Sequence, residues 1–184
     1  LAITQMFPGG MSAKRFLAEQ RVFGTFSLNL TLCEELRSKW FEAYPECVKH
    51  LECDQCSTDE ESGKPLFMSK TLTGRIRGNC SRNEAANSKF QGLSADGGKR
   101  AVWRLYRENF HIINYIHDEF IFLMKEDDQL TENVRRAEEI MIAEMRVVIP
   151  DVVIKVESAL MRRWNKKAKS KMENGKLTIW EETA

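Results

Sequence analysis

The sequence predicts an α+β fold. Three observations predict it: amphipathic helical stretches in the first third, an Ile-, Phe- and Tyr-rich hairpin between Phe110 and Met124, and a further helix and strand after it. The order helices, hairpin, helix, strand disfavours a parallel doubly wound sheet, in which strand and helix would alternate throughout. With 184 residues and 42% hydrophobic content, the chain can bury a substantial core.

The first helix is expected from about Ala13 to Phe23, with Ser12 capping its free N–H groups and Gly24 closing it. Thr31 followed by Glu34 makes a capping box for a second helix, in which Leu32, Leu36, Trp40 and Tyr44 recur at helical spacing up to Pro45. From Cys53 to Lys70 the sequence turns polar and acidic and is read as a solvated loop linking subdomains. Asn83 to Tyr106 reads as a helix with Phe90, Leu93, Ala101 and Leu105 on its buried side. Gly92, Gly97 and Gly98 interrupt it, and each glycine costs about 1 kcal/mol in a helix interior, so something must approach this backbone closely. The hairpin follows, then a helix from about Glu132 to Arg146 with Val134, Ala137, Met141 and Met145 on one face, then a strand from Val152 to Val156.

A formal charge of +1 gives no whole-molecule attraction to an anionic partner, so any nucleic-acid contact must rest on local patches. No apolar run approaches the ~20 residues of a membrane-spanning helix. The five cysteines are an odd, uneven set, and the N-terminus has no secretory pattern, which points to a reducing, cytoplasmic setting. The start at Leu1, without an initiator Met, is read as that of a fragment.

The polar triplet His117-Asp118-Glu119 puts two acidic groups at the centre of an otherwise apolar hairpin. Burying an unpaired carboxylate is costly, so such a pair belongs at an opening, where it meets solvent, a basic partner or a cation. Mg²⁺ suits one or two carboxylates plus substrate phosphates. On the triplet alone, an acidic hairpin turn is an equal alternative.

Three separated motifs share one order. Thr71-Leu72-Thr73-Gly74-Arg75 comes first, then the stretch from Asn87 through Gln91-Gly92 to Ala95-Asp96, then Ile116-His117-Asp118-Glu119. In identity and order they resemble family A DNA polymerases, including bacterial repair and phage replicative members, across nearly the whole chain. Phe7-Pro8-Gly9-Gly10-Met11, Trp40 through Glu46, and Ile154 to Trp164 are similar to the end of the fingers helix, the helix after it, and the closing strand.

The resemblance implies that the chain is the C-terminal part of such an enzyme. Residues 1–70 would be a fingers-like helical segment with a polar loop, and 71–184 a palm-like segment. It implies nucleotidyl transfer from dNTPs to a primer 3′-OH with two Mg²⁺ ions, which needs carboxylates from two strands at one point. Asp118 would be a metal ligand, Glu119 would lie beside the metals and the primer end, and His117 would position the hairpin against the primer strand. Asn87 and Gln91, four apart on one helix face, would lie along the template-primer minor groove, where every base pair presents acceptors to an amide donor. Gly92 would let the duplex come close, and Arg75 and Arg77 would contact its backbone.

The chain also departs from the pattern. The family's other carboxylate lies in an Asp-Tyr-Ser-type motif upstream of the fingers helix, and no such motif occurs in these residues, so this chain is expected not to polymerise without the missing upstream part. Leu1 stands where the family's triphosphate-gripping Lys is expected, and Gln5-Met6 replaces an aromatic-Gly pair. The source implied is bacterial, phage or prophage. The alternative function is a non-catalytic DNA-binding remnant; a weaker one is a metal-dependent phosphoesterase.

Two clusters remain. Arg162, Arg163, Lys166, Lys167, Lys169 and Lys171 surround Trp164 and fit either a strip tracking a phosphate backbone or a solvated C-terminal helix. Cys47, His50, Cys53 and Cys56 could ligate zinc, but their even spacing is unlike zinc modules, which pair ligands across a longer loop, so incidental thiols are the favoured reading.

Overall fold

The computed structural model describes residues 7, 10–24, 27–173 and 175–181. The chain divides into two compact units, Leu1–Gly92 and Leu93–Ala184. It is mixed α and β, with antiparallel sheets, as the sequence predicts.

In the first unit, α1 (Ala13–Val22) starts at Ser12, whose side chain accepts from the Arg15 N–H, and ends at Gly24, which has φ +80°. α2 (Leu30–Ala43) is capped differently from expectation. Asn29 Oδ1 accepts from the Leu32 N–H at 2.8 Å, so the helix begins two residues earlier than a Thr31 cap would allow. Asn caps at least as well as Thr, and its position just before Leu30 pre-empts the box. Phe7, Phe16, Leu17 and Cys33 form the core beneath these helices. Pro45 ends one helix and begins the next, α3 (Pro45–Leu51), because its missing N–H costs nothing in a first turn.

The segment read as a solvated linker holds the first two strands of a three-stranded antiparallel meander. β1 (Asp54–Thr58) pairs with β2 (Pro65–Lys70), which pairs with β3 (Ile76–Cys80). The acidic run is the hairpin loop between β1 and β2: Asp59 Oδ1 accepts from the Ser62 N–H at 2.7 Å, and Gly63 takes φ +65°. All of β1 is exposed, so no apolar alternation marked it as a strand. Because β3 pairs with β2, residues 76–80 belong to the first unit, whereas the sequence reading groups them with the palm-like segment.

The long helix α4 (Arg82–Arg107) begins with a capping box that periodicity did not reveal. Ser81 Oγ accepts from the Glu84 N–H, and Glu84 Oε2 accepts from the Ser81 N–H at 2.9 Å. Ala101 and Leu105 are buried as expected, but Phe90 is 46% exposed and stacks on the His50 ring at 5.2 Å.

In the second unit, β4 (His111–Ile116) and β5 (Glu119–Leu123) form the expected hairpin, and α5 (Leu130–Val148) follows. Phe110, Ile112, Phe120 and Phe122 pack against a core of Ala101, Leu105, Ala137 and Ile140. The expected strand at Val152–Val156 does not form. Val152 and Val153 are exposed, so β-branched composition had no face to bury there. The C-terminal order consists of β6 (Met172–Glu173), β7 (Lys176–Leu177) and a parallel bridge between Leu160 and Ile179. Residues 162–171 are not helical.

Glu144, 8% exposed, lies between α5 and the last turns of α4, where it accepts from Arg100 at 3.0 Å and Arg104 at 3.1 Å. Arg104 and Arg136 both bind Glu108. Burial alone would raise the Glu108 pKa, but hydrogen bonds from Arg136 and Arg104 outweigh it and hold it below the usual range. Glu144→Ala is expected to destabilise the chain by about 1–3 kcal/mol, since charged hydrogen bonds are lost and two guanidiniums are left facing each other. Chemical denaturation followed by circular dichroism measures this.

His50 is half-buried. Burial, then the charge of Lys89, lowers its pKa from the ordinary 6.5. The unfolded chain therefore protonates first as pH falls, and stability present above 6.5 is lost progressively below it. The melting temperature is expected to fall between about pH 7 and pH 5 more steeply in the parent than in His50→Phe, which keeps a ring on Phe90 without a titrating nitrogen.

Candidate functional site

The tip of the β4–β5 hairpin is a two-residue loop, His117-Asp118, closed by the pair Ile116↔Glu119. A tight hairpin of this kind needs backbone in the left-handed region, and His117 supplies it at φ +56°. His is one of the few non-glycine residues enriched there. The same register puts Tyr115 opposite Phe120, ring centroids 4.5 Å apart, on the inner face. Asp118 and Glu119 are both exposed, so neither carboxylate bears the cost of burial.

Two contacts fix this tip. A β-carbon on Gly98 would lie 2.0 Å from Tyr115 Oη, so glycine there is what lets the tyrosine lie against α4. Trp164 Nε1 donates to Glu119 Oε1 at 3.1 Å, which ties the C-terminal segment to the second acidic residue. The basic run around Trp164 is in part neutralised at both ends: Arg162 pairs with Glu126 and Glu181, and Lys171 with Glu173. Sequence reasoning missed the Trp164 contact, because an indole 45 residues from its acceptor leaves no local signal.

The first unit carries the other expected contacts. Thr71-Leu72-Thr73-Gly74-Arg75 is the turn between β2 and β3: Gly74 takes φ +90°, and Thr71 Oγ1 accepts from the Arg75 N–H at 3.1 Å. Arg75, Arg77, Gln91 and Gly92 meet around one cavity of about 220 Å³, together with Ser69 and Ser88. Arg77 is already engaged, donating to Ser88 Oγ at 3.1 Å and to Glu84 at 3.4 Å. Ser69 Oγ is buried and has no hydrogen-bond partner among the described residues. Asn87, half-buried, stands four residues before exposed Gln91 on the same helical face. Gly92 has an intramolecular reason to be glycine, since a β-carbon there would lie 2.6 Å from Thr71 Cγ2.

Among the described residues no group of three or more His, Cys, Asp or Glu side chains could hold a metal ion. Of the four spaced thiol and imidazole groups, Cys56 Sγ contacts the Leu66 carbonyl at 3.5 Å and His50 is stacked on Phe90. Of the fingers-like residues, Leu1, Gln5, Met6, Pro8 and Gly9 lie outside the described residues.

Compared with known proteins, the chain matches no protein-family model and no curated protein. No helix among the described residues is long and apolar enough to cross a membrane.

Burial, and then the Asp118 charge, raise the Tyr115 pKa above 10. Asp118→Asn is expected to bring it part of the way back, since burial remains. Tyrosinate absorbance against pH reads this, and an unmoved curve would show that the carboxylate does not face the ring.

Proposed function

We propose that this chain is part of a template-directed DNA polymerase, supplying one catalytic carboxylate and part of the surface that holds template-primer DNA. The observation that carries the reading is the hairpin tip: two adjacent exposed carboxylates, Asp118 in the two-residue loop and Glu119 at the start of β5, in a sequence whose three ordered motifs resemble family A polymerases.

The roles follow from chemistry. Asp118, with a carboxylate outside these residues, would hold the Mg²⁺ ions, whose chemistry when bound would be to lower the pKa of the primer hydroxyl and to neutralise the triphosphate. Asp118 offers that oxygen without desolvation, and the closed loop holds its Cα in place. Glu119, tethered by Trp164, keeps one oxygen for the metal-bound groups or the primer end. His117 sets the loop's backbone and presents an imidazole beside the primer strand. Gln91 and Asn87 offer amide donors to the acceptors that every base pair shows in the minor groove, so they test pair geometry without reading sequence. Arg75 and Arg77 bring positive charge to the same cavity as Gln91, suited to backbone phosphate.

The polypeptide encoded by the open reading frame containing these residues is expected to extend a primer with dNTPs and Mg²⁺. Asp118→Asn should lower extension by roughly 10³-fold or more, the scale expected when electrostatic stabilisation of a transition state is lost, with duplex affinity nearly unchanged. Normal extension by that variant would reject the reading. Duplex binding with no extension by the parent would assign the non-catalytic DNA-binding reading instead.

A further inference from the structure

We infer that residues 161–171 form a closed basic loop that grips the phosphate backbone of duplex DNA beside the hairpin tip. This stretch holds Arg162, Arg163, Lys166, Lys167, Lys169 and Lys171 and no Asp or Glu. In a chain whose formal charge is only +1, that is a concentrated cation, and a polyanion answers it best. None of these cations has a part in nucleotidyl transfer as proposed above. Lys166 and Lys169 also follow Ile154 to Trp164, the last stretch similar to the polymerases, so the inference stands apart from that reading.

The fold makes this run a fixed surface. Its base is closed twice. Trp180 N–H donates to the Leu160 carbonyl at 2.7 Å, beside the Leu160–Ile179 bridge, and Thr178 N–H donates to the Lys171 carbonyl at 2.8 Å. Inside the loop Asn165 makes a turn: its Oδ1 accepts from the Lys167 N–H at 2.9 Å, and its carbonyl accepts from the Ala168 N–H at 3.0 Å. The indole of Trp164 ties the loop to Glu119 at the hairpin tip. The two ends of the run are neutralised, Arg162 by Glu126 and Glu181, Lys171 by Glu173. Arg163, Lys166 and Lys169 between them are exposed, and none of the three pairs with a carboxylate among the described residues. Three unpaired cations, each three residues from the next, thus stand on a backbone already ordered, which lowers the cost of binding.

The occupant follows from the chemistry. A basic segment that binds an anionic membrane is commonly an amphipathic helix that sinks an apolar face beneath its charges. Residues 162–171 are not helical, and Met161 and Ala168 are half-buried against the chain itself. Ammonium groups on flexible stems meet phosphate as point charges, with no demand on sequence. Duplex DNA carries a charge every ~1.7 Å along its axis, so each of the three cations can find a phosphate.

The test uses the whole 184-residue chain with no Mg²⁺ or dNTP present, and reads binding alone. Fluorescence anisotropy follows a labelled blunt duplex over a series of salt concentrations. Arg163→Gln, Lys166→Gln and Lys169→Gln together should lower the slope of log affinity against log salt by about 2 to 3, at roughly 0.9 for each phosphate contact. Lys171→Gln, whose charge is already met by Glu173, should leave the slope nearly unchanged. Asp118→Asn should bind with the parent's slope, so failure of primer extension would leave this result standing. Acetylation footprinting of the parent requires no variant to fold: DNA should protect Lys166 and Lys169 more than exposed Lys14 of α1. An unchanged slope in the triple variant, equal protection of Lys14, or capture of the loop by phosphatidylserine vesicles without duplex binding would each overturn the assignment.

Discussion

Three absent β-carbons on α4 set how closely individual side chains can approach that helix. At Gly92 the vacancy is filled by the Thr71 methyl, at Gly97 by Met145, and at Gly98 by the Tyr115 hydroxyl. Each glycine costs helix propensity, of order 1 kcal/mol, and each is offset by a side chain seated directly on the helix backbone. Overpacking at such points is costly, because neighbours must shift as units. The turn carrying Arg75 and the hairpin carrying Asp118 thus both depend on contacts that no larger residue would permit.

These contacts explain what was legible in the sequence. The glycines announced a close approach, but they could not say that the approaching groups belong to the chain itself. α5 was readable because it buries one face and writes that face as a periodicity, α1 from its cap at Ser12 and stop at Gly24, and the β4–β5 hairpin from its Ile, Phe and Tyr content. The β1–β2–β3 meander was not, because its backbone ladders hold strands whose side chains lie largely in water. Val152–Val156 is the reverse case, with strand-like composition and no partner to pair it. Of the candidate site, the triplet marked the hairpin tip, and only the resemblance of three ordered motifs singled it out as a site. The Trp164 tether and the engagement of Arg77 by Glu84 arise from folding and left no pattern in the sequence.

The near-zero formal charge conceals an uneven distribution. Arg100, Arg104 and Arg136 are committed to Glu144 and Glu108, so they hold helices together and contribute little field outside. Arg163, Lys166 and Lys169 pair with no carboxylate among the described residues, so their charge faces the solvent. A chain with charge +1 can in this way present concentrated positive sites to a polyanion while remaining balanced as a whole.

The left-handed backbone at His117 has a consequence for how this loop can diverge. The position joins two traits, the shape of the turn and the imidazole, and they accept different replacements. Glycine or asparagine keeps the turn and discards the ring; valine or isoleucine breaks the turn before any chemistry is in question. Replacement by glycine or asparagine is therefore the route that keeps the bend while giving up the ring.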